Sequence, residues 1–108
     1  MKEEPEYLRY IIDRLSPLGE TSSKFMFGGW GIFYEGLMFA VFASESLYFK
    51  VDDSNREMYE KAGSTPFPHG ISYWEVPAEV IEDEKKLCDW AQISMDIARR
   101  KAEKKKKK

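Results

Sequence analysis

The chain has one cysteine, one histidine and no long apolar run, and each shortage removes a class of function. A lone thiol, Cys88, cannot close an internal disulfide, and it lies in a segment of helical spacing, where it reads as a buried thiol rather than a reactive one. The histidine, His69, sits in the turn-rich stretch Pro66-Phe67-Pro68-His69-Gly70 without a cysteine nearby, so the sequence signals neither a zinc site nor a nucleophile-histidine pair. No run approaches the roughly 20 apolar residues of a membrane span, and the opening MKEEPEYLRYIIDRL is acidic and periodic, unlike a secretory leader. These absences leave one domain over residues 1–100, expected in the cytoplasm, with no cofactor, no metal and no membrane partner.

The motifs that superficially suggest chemistry fail on context. Gly28-Gly29-Trp30-Gly31 is not a dinucleotide fingerprint, because such a turn must open a helix whose N-terminus holds the phosphates, and here a β-type run follows. Asp52-Asp53-Ser54-Asn55 lacks the glycine and the spaced oxygen ligands of a calcium loop and reads as a turn with a helix cap. Paired carboxylates such as Glu3-Glu4 and Glu82-Asp83 fall at helix starts, where negative charge suits the dipole. The expectation is a protein that is not an enzyme.

Charge is unevenly placed. Taking the six lysines and one glutamate of residues 101–108 from the 17 basic and 19 acidic side chains leaves 11 and 18, so residues 1–100 carry a balance of −7. An acidic body argues against broad contact with DNA, while a basic disordered tail over 101–108, with Lys104, Lys105, Lys106, Lys107 and Lys108, suits a weak nucleic-acid contact.

Periodicity predicts the elements. Tyr7, Leu8, Ile11, Ile12 and Leu15 recur at helical spacing, and Ser16-Pro17-Leu18-Gly19 stops the helix. Residues 24–51 read as a three-stranded meander with turns at Glu35-Gly36 and Ser44-Glu45. Ser54 and Glu57 form a capping-box pattern before a short helix with Gly63 as its C-cap; residues 71–76 read as a strand ended by Pro77, and residues 83–100 as a long helix with Leu87, Trp90, Ala91, Ser94, Ile97 and Ala98 on one side. Two-residue hairpin loops pair Tyr34 with Leu37 and Ala43 with Ser46. Unbroken alternation then puts Gly29, Gly31, Phe33, Met38, Ala40, Phe42, Leu47, Phe49 and Val51 under the helices, with the glycines making room for them. It turns Trp30, Tyr34, Phe39, Tyr48 and Lys50 to an open face, the expected interaction surface for a protein partner or a second copy of the chain; a small-ligand pocket near Trp30 or His69 is the more distant alternative.

Several motifs in series, M-F-G-G-x-G at 26–31, G-L-M-F-A at 36–40, L-Y-F-K-V-D at 47–52, Asn55-Arg56, A-G-x-x-P-F at 62–67, S-Y-W-E-V-P at 72–77 and D-W-A at 89–91, resemble the N-terminal domain of the TfoX/Sxy family of bacterial competence regulators. The resemblance covers about residues 5 to 100 and implies an α+β two-layer domain, a mainly antiparallel sheet of about five strands with helices on one face, in the order α-β-β-β-α-β-β-α. The strand that the periodicity leaves out would lie near residues 65–68. Full-length members carry a further C-terminal helical domain, so the resemblance is to the N-domain alone. It implies a non-enzymatic regulatory role in transcription, exerted with a cyclic-AMP receptor protein at promoters, and transfers no functional residues.

Overall fold

The computed structural model describes residues 4–26, 28–68 and 72–106. His69, Gly70, Ile71, Lys107 and Lys108, on which some of the expectations fall, lie outside the described residues, as do the side chains of Lys105 and Lys106. Helix α1 (Glu6–Arg14) and a 3₁₀ turn lead into strands β1 (Thr21–Met26), β2 (Gly29–Tyr34), β3 (Leu37–Ala43) and β4 (Ser46–Lys50). Helix α2 (Arg56–Lys61), strand β5 (Tyr73–Glu75) and helices α3 (Ala78–Ile81) and α4 (Glu84–Lys106) complete the α+β chain. The five strands form one antiparallel sheet in the order β1-β2-β3-β4-β5.

Both expected hairpin loops form. Glu35 (φ 53°) with Gly36 (φ 79°), and Ser44 (φ 50°) with Glu45 (φ 63°), hold the paired positive φ angles that match strand twist, and the closing pairs are Tyr34 with Leu37 and Ala43 with Ser46. The meander nevertheless has four strands, not three. The aromatic run around Gly28 hides a third hairpin: Gly28 takes φ 75° and Met26 pairs with Gly29. The strand expected near residues 65–68 is reduced to an isolated bridge from Pro66 to Trp74, with Phe67 N–H donating to the Tyr73 carbonyl at 2.7 Å and Glu75 N–H to the Thr65 carbonyl at 3.0 Å.

The assignment of faces needs correction. Phe33 pairs with Met38, but Ile32 pairs with Ala40, so Phe39 is an extra residue and the β2–β3 register shifts there. The bulge reverses the phase of β2 relative to the inner part of β3. Trp30, Ile32 and Tyr34 therefore join Ala40, Phe42, Leu47 and Phe49 on the helix side, while Gly29, Gly31, Phe33 and Met38 go to the helix-free side with Val41, Tyr48 and Lys50. Phe39 is fully buried in the core at the bulge, its ring 6.0 Å from that of Phe49. The glycines do not make room for a helix. A Cβ on Gly29 would lie 2.7 Å from the Phe42 carbonyl oxygen, so Gly29 permits close backbone approach within the sheet.

The helices enter one core with that side of the sheet: Leu8 and Ile11 from α1, Tyr59 from α2, Val80 and Ile81 from α3, and Leu87, Ala91, Met95 and Ala98 from α4. Helix α4 runs on to Lys106, beyond the expected end at Arg100. The capping box does not form. Asn55, not Ser54, is the N-cap of α2; Ser54 donates its N–H and hydroxyl to Asp52 Oδ1 at 2.8 and 2.5 Å, and Asn55 Oδ1 accepts from Asp52 N–H at 2.9 Å. The C-terminal end is as expected: Gly63 (φ 78°) donates to the Glu60 carbonyl at 3.0 Å and Ser64 to that of Tyr59 at 3.0 Å, a Schellman cap. Ser94 and Asn55, both buried, converge on the Lys50 carbonyl from α4 and from the α2 cap, at 2.6 and 3.3 Å.

Candidate interaction surface

Of the residues expected on one open face, the structure brings together only Tyr48 and Lys50. Trp30 and Tyr34 pack against the core as half-buried side chains, Trp30 edge-on to Phe25 at 5.4 Å, and Phe39 is wholly internal. The helix-free face is instead built around Gly31. A Cβ there would lie 2.7 Å from Met38 Sδ, 2.9 Å from Met26 Sδ and 3.2 Å from Phe33 Cε1, so two thioethers and a ring close over the glycine from three strands. Absence of a side chain at the centre is what lets flexible, polarisable ones lie flat across it.

Toward β5 the same face becomes aromatic. The Tyr48 ring meets Phe67 edge-on at 4.7 Å, which brings the segment bridged at Pro66 over the end of the sheet. Tyr73 lies beneath Lys50, whose Nζ is 4.9 Å from the ring centroid, and its hydroxyl donates to the Met38 carbonyl at 3.3 Å. Burial pushes the Tyr73 hydroxyl up to about 12, so it stays a neutral donor at physiological pH. Met26, Phe33, Met38, Tyr48 and Phe67 are half-buried. The result is a largely apolar surface, sulfur-rich around Gly31 and aromatic toward β5, with Lys50 over the Tyr73 ring.

Cys88 Sγ donates to the Arg14 carbonyl at 3.4 Å, and burial, followed by Glu84 and Asp89, raises its pKa, which keeps it a thiol. Tyr59 is fully buried edge-on to Trp90 at 4.7 Å, and its hydroxyl lacks a hydrogen bond of normal geometry; burial raises its pKa, with Ser94 acting weakly the other way. An open cleft of about 200 Å³ is lined by residues that include Ser64, Glu75 and Glu79, and Ser64 Oγ donates to the Glu75 carbonyl at 2.5 Å. Among the described residues, no three His, Cys, Asp or Glu side chains group as metal ligands, and no helix is long and apolar enough to cross a membrane.

Sequence reasoning missed Met26, Phe33, Met38 and Phe67. Their signal was the clustering of thioethers and aromatics around a glycine on adjacent strands, and a one-residue bulge concealed it. Comparison with protein families finds that the model of the TfoX N-terminal domain matches residues 13–98. Comparison with curated proteins finds no match.

Proposed function

The chain belongs to the TfoX N-terminal domain family, and from that premise we propose that it is a non-enzymatic regulatory module that contributes to transcriptional regulation by contacting another protein. The observation that supports this reading is the sulfur-rich and aromatic helix-free face. Methionine thioethers adapt to a partner's shape, and half-exposed rings supply large contact area at small entropic cost. Transcription machinery, including a cyclic-AMP receptor protein, is the partner class that the family suggests.

The test is capture from a bacterial lysate with the parent chain and with Phe33→Ser and Met38→Ser, read out for RNA polymerase and a cyclic-AMP receptor protein. Anchor residues of an interface each cost more than about 1–2 kcal/mol of binding when truncated, so both variants should lose at least about tenfold in capture while remaining folded. Equal capture by folded variants would remove the helix-free face from the binding site.

A further inference from the structure

We propose that residues 99–106 of α4 form a helical cationic arm that binds the phosphate backbone of a nucleic-acid duplex. The stretch carries six basic residues and one acidic one, Glu103, on a helix continuous with the core-packed part of α4. At about 1.5 Å rise per residue it spans about 12 Å, or one cation per about 2 Å, close to the one phosphate per about 1.7 Å along a duplex. Because successive residues turn by about 100° around the helix, about four of the six cations can face one duplex at once, and this dense positive charge on a short helix is the observation that favours a phosphate polyanion.

The surroundings sort the cations. Arg99 donates to Asp96 Oδ1 at 3.3 Å, Arg100 Nε reaches the Asp96 carbonyl at 3.5 Å, and the charges of Arg100 and Lys101 act on Asp52. Lys101 and Lys104 are exposed, and Lys105 and Lys106 follow on the helical backbone. An anionic membrane fits poorly, because Ala102 is the one apolar residue in the stretch and nothing there would enter the acyl region. The acidic body, which disfavours broad contact with DNA, is compatible with a contact confined to this one helical stretch lying along the duplex. Arg100 with Lys104, and Lys101 with Lys105, are like charges at i,i+4 that weaken the free helix, and phosphates lying between them would relieve this.

The experiment titrates the full chain against a labelled duplex of about 20 base pairs and, separately, against vesicles rich in phosphatidylserine, across salt. Neutralising about four phosphates makes duplex affinity fall by about a hundredfold between about 50 and about 200 mM salt. Lys101→Gln with Lys104→Gln should weaken duplex binding at least tenfold at about 50 mM and halve the salt slope, while the chain still melts cooperatively. Binding should also raise helicity in circular dichroism for the parent. Undiminished duplex binding by the double variant, stronger binding to vesicles than to duplex, or no duplex binding at low salt would each overturn the proposal. Protein capture by the double variant is expected to be intact, which separates failure here from failure of the protein-contact reading.

Discussion

The two sides of the sheet use the same residue classes to opposite ends. Under the helices, Phe39, Ala40, Phe42, Leu47 and Phe49 are almost entirely excluded from water, and rings such as Phe39 and Phe49 lock one another. On the other side, Met26, Phe33, Met38 and Tyr48 stay half-exposed, and the Gly31 position is covered by two thioethers and the edge of the Phe33 ring. Apolarity by itself therefore does not mark a core. What separates the faces is whether helices close over the side chains, and the chain decides that with one extra residue at Phe39.

Four substitutions would sharpen or break this contrast. The largest effect is expected for Phe39→Ala, which should destabilise by about 3–5 kcal/mol in denaturant melts, as for a fully internal phenylalanine; a loss under about 1 kcal/mol would mean the bulge is misplaced. Next comes Gly29→Ala, whose Cβ would press on the Phe42 carbonyl oxygen and which should cost about 2–3 kcal/mol. Gly31→Ala meets similarly short contacts, yet they are to the ends of Met38 and Met26, so the loss should stay near or below about 1 kcal/mol in the same melts. Reversal of that glycine ranking would show the helix-free face to be as rigid as the core. The smallest effect is a pH dependence at Asp52. Burial acts to raise its pKa, but hydrogen bonds from Ser54 and the charges of Arg100 and Lys101 outweigh this and leave it lowered. A lowered folded pKa adds stability above the unfolded value and forfeits it as pH falls through the folded one. Asp52→Asn should therefore melt lower than the parent near neutrality, with the gap closing below about pH 4.

Helix positions were legible because their stripes are long: Leu8, Ile11 and Leu15 are buried as the spacing predicts. Gly63 and Pro77 punctuated the chain as expected, since their backbone chemistry acts locally. The bulge was not legible. Phe39 and Ala40 are both apolar and both buried, so composition cannot say which of them occupies the odd position, and every face upstream depends on that count. Tyr48 and Lys50, downstream of it, were assigned correctly, whereas Trp30, Tyr34 and Phe39 were not. The meeting at the Lys50 carbonyl escaped for another reason: Asn55 reaches that oxygen from five positions away, but Ser94 comes to it from 44 positions away, and no local pattern encodes the second approach.

The strand order β1-β2-β3-β4-β5 also bears on how the molecule assembles. Each strand lies beside the next one in the chain, so the first three pairings need only short loops to close and little chain entropy is lost at each. Helix α4, by contrast, packs on β3 and β4 across more than thirty intervening residues. A four-stranded ribbon should zip from its turns early, and docking of α4 should set the observed folding rate. Substitutions at Leu87 or Ala91 should then slow folding, whereas a change confined to faster unfolding would place docking after the barrier and overturn this order.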